Sequence, residues 1–302
     1  MGGIARSTAP VASAVGTVGV WLFGAAFDAD PAGVASRVER LGYGALWVGG
    51  GNTKPSAFAR IEAALAGSTT LVLATGIASI WAWEPAELAR QARSIALGHP
   101  GRFLLGLGVS HAPLVEHLGL SYERPYSAME RFLADLAAAT ADERGPQVPL
   151  ALAALGDKML ALSGRESVGA HPYFVPVEHT RHAREVLGAG PLLAPELAVV
   201  AETDPSAARA VARGYMERYL ALPNYAGNLL RLGYLDEDLA DGGSDRLVDA
   251  IVAWGSPSDI ATRVREHLDA GADHVCIQPL APGGSVDYEA LEALAPLLVA
   301  AR

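Results

Sequence analysis

The chain has 302 residues, 51% of them apolar and 19% charged, with 23 Lys plus Arg against 33 Asp plus Glu for a formal net charge of −10. That makeup excludes a disordered chain, allows one large domain or two ordinary ones, and argues against a nucleic-acid or anionic-membrane partner, since both need a basic field. A lone cysteine, Cys276, excludes a disulfide framework and any cysteine-based zinc or iron–sulfur centre.

Residues 1–16 read as a loose, flexible N-terminal arm. The uncharged stretch 7–27 is interrupted by Pro10, Gly16, Gly19 and Gly24, which suits a bilayer span poorly. Arg6 before an Ala/Val run leaves a signal peptide conceivable, but an arm leading into a first buried strand is the better reading. Eight short runs are then continuously apolar: 18–23, 45–48, 71–75, 103–107, 148–153, 169–175, 192–200 and 274–278. Continuous rather than alternating apolarity fits strands covered on both faces.

The intervening stretches 31–41, 55–66, 85–97, 126–139, 157–162, 178–187, 205–220 and 257–270 read as amphipathic helices. X-Pro pairs open several of them, at Pro31, Pro55, Pro85, Pro205 and Pro257, where proline's missing amide hydrogen would have no partner. Ser256 and Asp259 have capping-box spacing. Gly42, Gly98, Gly188 and Gly271 stand where a left-handed exit is needed. Strands alternating with helices predict a parallel sheet with right-handed crossovers, and eight such units predict a closed (β/α)8 TIM barrel rather than an open doubly wound sheet. Extra helical material at 224–232 and 245–254 predicts an insertion over about 222–255, between the seventh and eighth strands. The expected organisation is one barrel domain over 17–302 behind the arm.

In a barrel, chemistry gathers at the carboxyl ends of the strands. After the third strand, the small residues around Gly76 leave room for a flat ring against the backbone. Trp81 and Trp83 then offer apolar walls, unless they are ordinary packing at a helix start. The fourth strand ends Gly106-Leu107-Gly108-Val109-Ser110-His111, which begins like a dinucleotide fingerprint but has His111 in place of the third glycine. His111 at the mouth can give or take a proton in redox chemistry; a capping or packing role weighs evenly against this. After the fifth strand, Gly156 with Lys158 in the first turn of a helix can hold a phosphate, although a solvated Lys158 is the commoner outcome. His171 either lines a cofactor tail or is structural. His179 and His182 read as a solvated helical face rather than a metal site. No G-x-S-x-G, G-x-x-x-x-G-K or H-E-x-x-H pattern is present.

Four segments together resemble the luciferase-like monooxygenase superfamily. They are Leu41-Gly42-Tyr43-Gly44-Ala45-Leu46-Trp47-Val48; Ala74-Thr75-Gly76-Ile77 with Trp81; Gly101-Arg102-Phe103 leading into Gly106-Leu107-Gly108-Val109; and Trp254-Gly255-Ser256-Pro257 through to Val275. Ala153-Ala154-Leu155-Gly156, Gly169-Ala170-His171-Pro172-Tyr173 and Leu222-Pro223-Asn224-Tyr225 are similar to the branch that uses the deazaflavin coenzyme F420. The resemblance spans roughly 18–280. It implies a bacterial-luciferase-like barrel with the deazaflavin ring at its carboxyl end, and a non-prolyl cis peptide at Gly76-Ile77 behind the ring.

By the same resemblance, Gly108 and Ser110 lie against the cofactor. His111 takes the place of a proton-handling glutamate, and Gly156, Lys158, Met159 and His171 meet the phosphate and tail. Trp81, Trp83, Gly50, Asn52 and Glu196 line the substrate pocket. The chain departs from the pattern at Gly49-Gly50-Gly51-Asn52, where many relatives carry an acid or a histidine. The implied activity is F420-dependent hydride transfer to or from a small organic substrate; from the charge, the absence of a bilayer-length apolar span and the apolar outer helices, the chain is expected to be a cytoplasmic homodimer without nucleic-acid or membrane partners. An FMN-dependent monooxygenase and a non-catalytic flavin- or deazaflavin-binding protein are the alternatives.

Overall fold

Each apolar run becomes a strand because a barrel buries both of its faces, one against the outer helices and one against the interior. The computed structural model describes residues 8–50, 55–141 and 147–299. Its barrel strands are β1 (Val18–Phe23), β2 (Ala45–Gly49), β3 (Val72–Thr75), β4 (Phe103–Gly108), β5 (Leu150–Leu152), β6 (Gly169–Ala170), β7 in two segments (Leu192–Leu193 and Glu196–Val200) and β8 (Val275–Pro279). Neighbours pair in parallel around the ring. The broken β7 closes it, its first segment on β6 and its second on β8. This is the (β/α)8 barrel that the run-and-helix alternation predicts.

The helix punctuation follows the sequence closely. Asp30 and Asp204 accept from the amides of Gly33 and Ala207, and Ser256 with Asp259 forms the capping box. Gly42, Gly188 and Gly271 take positive φ. Gly98 does not: it ends the helix Pro85–Gly98, and Gly101, with φ 75°, makes the left-handed turn instead.

Three of the elements that differ from the sequence reading bear on the barrel and its ends. The stretch expected as a loose arm carries a helix, Thr8–Val15, and Val15 is fully buried among Trp21, Ala45, Trp47 and Cys276 at the amino-terminal end of the barrel. An apolar residue that can close an open barrel end gains more by docking than by staying solvated. Residues 252–254, read as helix, form a strand that pairs with the second segment of β7 outside the ring. A final helix, Tyr288–Leu298, is capped by the Asp287 side chain and was not anticipated. Among the described residues, no helix is long and apolar enough to cross a membrane.

The insertion after β7 lies over the barrel mouth rather than beside it. The helix Pro205–Leu220 that leads into it is tied down by Tyr219, whose hydroxyl is 2.8 Å from that of Tyr173, and Tyr173 in turn donates to Gln278 of β8 at 2.8 Å. Arg218 stacks over the Phe23 ring at the end of β1, with 5.0 Å to the centroid. The next helix, Pro223–Arg231, continues to the ends of β4 and β5.

Candidate active site

The ledge at the end of β3 is built from backbone. Gly76 and Ile77 are half-exposed between buried Thr75 and Ala78, and the peptide joining them is cis. Glycine is needed on both sides of this ledge. A Cβ at Gly49 would overlap the Trp21 indole, and one at Gly76 would meet Trp21 Nε1. The room left by the small residues is therefore taken by Trp21, which backs the ledge from inside the barrel. Trp21 Nε1 is buried and has no hydrogen-bond partner among the described residues. Across from it, a Cβ at Gly108 would come within 2.7 Å of the Ile77 side chain, and the Thr75 hydroxyl donates to the Gly106 carbonyl at 2.7 Å. Gly106 and Gly108 thus let β4 accept the bulged exit of β3.

Ser110 turns the chain with a positive φ of 57° and delivers His111 to the start of the helix Ala112–His117. The His111 ring lies 5.2 Å from the Tyr225 ring, and its Nδ1 is 3.1 Å from Asn224 Oδ1. Burial lowers the His111 pKa, and the Asn224 contact partly opposes that. The imidazole is therefore neutral near pH 7 and available as a proton acceptor.

At the end of β5, Gly156 precedes the helix Asp157–Glu166. Among the described residues, the only side chain within 4 Å of a Cβ there would be Arg231, whose guanidinium Nη2 would lie 3.8 Å away. Arg231 also donates to Asn228 Oδ1 at 3.2 Å, while the buried Asn228 Nδ2 has no partner among the described residues. A helix N-terminus, an arginine and an unpaired buried amide donor form a donor set suited to an oxyanion. Asp157, the one carboxylate in this turn, is paired with His182 at 2.7 Å. The sequence does not single out Arg231 and Asn228, because the insertion brings them to this strand end from 75 and 72 residues beyond Gly156. Lys158 is exposed in the first turn, and Met159 is half-buried against the core.

Other expected site residues are placed differently. Trp83 is buried edge-on against Phe58, with ring centroids 5.2 Å apart, so it belongs to packing beneath an outer helix and not to the mouth. His171 lies inside the barrel, stacked on Trp47 at 4.1 Å with Nδ1 2.7 Å from the Ala194 carbonyl, and does not reach the β5 exit. Glu196 is 1% exposed; its carboxyl accepts from the Phe174 amide at 3.2 Å and the Tyr215 hydroxyl at 3.4 Å, which removes it from any open pocket. Trp81 stays near the ledge, half-buried, its Nε1 donating to the Val109 carbonyl at 2.6 Å. Gly50 is exposed after β2 with a φ of 68°, and Asn52 lies outside the described residues. His179 is buried with Nε2 2.8 Å from the Leu155 carbonyl, not on a solvated face.

A closed parallel barrel with a backbone ledge at its carboxyl end and an insertion roofing that end defines a (β/α)8 enzyme scaffold. The chain belongs to the luciferase-like monooxygenase family, whose profile matches residues 29–274. It is 22% identical, over 82% of its length and 90% of the relative's, to a 5,10-methylenetetrahydromethanopterin reductase of Methanolobus tindarius. Among solved structures it resembles the coenzyme F420-dependent tetrahydromethanopterin reductase of Methanopyrus kandleri, with a TM-score of 0.76 and 15% identity, covering 94% of this chain and 98% of that one. It also resembles the oxygenating constituent of 3,6-diketocamphane monooxygenase from Pseudomonas putida in complex with FMN, with a TM-score of 0.69 and 15% identity over 94% and 98% of the two chains.

Proposed function

We propose that the chain is an oxidoreductase that holds a deazaflavin of the F420 type at the barrel mouth and acts on a small organic substrate. The observation that carries this reading is the placement of two features on one face: the half-exposed Gly76–Ile77 ledge backed by Trp21, and the oxyanion-type donor set of Gly156, Asn228 and Arg231. A ring-bearing phosphoester needs both. The residues fit such a group: Gly76 and Ile77 present half-exposed backbone at the mouth, and, among the described residues, Asn228 Nδ2 is a buried donor lacking an acceptor. When bound, F420 supplies hydride exchange. Ile77 and Gly76 would support its ring, Gly156, Arg231 and Asn228 would hold its phosphate, and Trp81 would bound the substrate side. His111, neutral and within reach of the mouth, exchanges the proton that accompanies hydride movement.

The likeness to an F420-dependent reductase supports this assignment. The likeness to a monooxygenase holding FMN supports the second reading, an FMN-dependent monooxygenase on the same scaffold. The same proposal takes the protein as one barrel domain acting as a cytoplasmic homodimer. Anaerobic titration of the apoprotein with F420 and with FMN, followed by tryptophan fluorescence, separates the readings. Saturable quenching by F420 at concentrations where FMN has no effect is the expected result. Tighter binding of FMN would favour the second reading, and binding of neither would overturn both.

A further inference from the structure

We infer that Asn224, carried by the insertion, is a positioning residue that fixes the tautomer of His111 and leaves Nε2 as its proton-exchanging nitrogen. The inference rests on the functional reading above only for what Nε2 then does. An amide oxygen can only accept, so with Asn224 Oδ1 3.1 Å from Nδ1 the neutral ring carries its hydrogen on Nδ1. Nε2 then keeps its lone pair, and it has no hydrogen-bond partner among the described residues. Tyr225, the next residue of the same helix, lies against the imidazole at an interplanar angle of 47° and opposes rotation of the ring. Pro223, Asn224 and Tyr225 open the helix Pro223–Arg231, so one short rigid element sets both contacts.

The groups facing His111 leave this arrangement undisturbed. The Tyr225 phenol is buried and held well above its ordinary pKa, so it stays neutral. Trp81 at the β3 exit does not titrate and is engaged with Val109. Glu116 and His117 follow on His111's own helix, and Arg231 lies toward the β5 exit. Burial lowers the His111 pKa and the Asn224 contact opposes it. A proton taken at Nε2 gives an imidazolium that still donates from Nδ1 to Asn224, so the contact survives the transfer.

Long-range 1H–15N spectra of the cofactor-free protein test this without any assay of turnover. Near pH 7.5, His111 should show a protonated Nδ1 and an unprotonated Nε2. In Asn224→Ala the two nitrogens should exchange that character. Asn224→Asp keeps an acceptor in place, so it should restore the Nδ1–H form and raise the titration midpoint of His111. An Nε2–H form in the unaltered protein, or a tautomer indifferent to both substitutions, would overturn the inference. The F420 titration stands apart from these spectra, so failure of the positioning role and failure of the cofactor reading are told apart.

Discussion

Replacing Glu196 with Gln should make the protein more stable, and by an amount that depends on pH. The carboxyl is buried to 1% exposure and, among the described residues, faces no cation and accepts only two long hydrogen bonds, of 3.2 and 3.4 Å. Burial outweighs these contacts and raises its pKa from 4.5 to about 8. The unfolded chain releases this proton near the ordinary value, whereas the folded chain keeps it to about pH 8. Folding therefore takes up a proton between those limits, and stability falls as pH rises through the window. At ~1.4 kcal/mol per pH unit, the cost near pH 7 is roughly 3 kcal/mol, and it vanishes below the ordinary carboxylate pKa. Glutamine has the same shape and no ionisation; its oxygen accepts from the Phe174 amide and its NH2 donates to the Tyr215 hydroxyl. Urea unfolding of both proteins should show the variant ahead by roughly 3 kcal/mol near pH 7, with the gap closing towards pH 4.5. A gap that does not change with pH, or a variant that is weaker near pH 7, would refute the reasoning, because the carboxylate would then be ionised and paired in the folded protein.

Gly49→Ala should lower stability by about 1–3 kcal/mol and shift tryptophan emission, because the added methyl displaces the Trp21 indole; unchanged urea unfolding and fluorescence would contradict that packing. Arg231→Ala should weaken F420 binding about tenfold through loss of one charge-assisted contact, with far-UV circular dichroism unchanged; an unchanged dissociation constant would remove Arg231 from the phosphate set. His171, His179 and His274 are held down to about 4 and His267 to about 3 by burial. The unfolded chain binds their protons first, so stability should drop as pH falls below about 6.5 and keep dropping towards pH 4; urea midpoints that stay level over that range would show these rings already protonated in the fold.

The barrel itself was legible because its signals are local. Each strand is a continuous apolar run, and X-Pro starts with glycine exits separate the helices. The strand Val252–Trp254 was missed because three residues at the end of a helical pattern carry no periodicity of their own, and only the free edge of β7 makes them a strand. The site was legible in position but not in direction. A place at a strand's carboxyl end fixes height along the barrel, not whether a side chain points inward or to the mouth. His171 and Glu196 went inward for that reason, and Trp83 went outward to Phe58. Trp21, Asn228 and Arg231 carry no motif, and Asn224 stands in a segment whose resemblance names no contact; they reach Gly76, His111 and Gly156 through barrel closure and the path of the insertion, which are long-range facts.

The central claim is that the Gly76–Ile77 ledge and the Gly156–Asn228–Arg231 donor set together receive one phosphate-bearing tricyclic ring system. A crystal structure of the protein grown with F420 examines this directly. Ring density is expected against Ile77, with phosphate density within hydrogen-bonding distance of Arg231 and Asn228 Nδ2. Ring density elsewhere, or a phosphate bound away from the β5 exit, would contradict it.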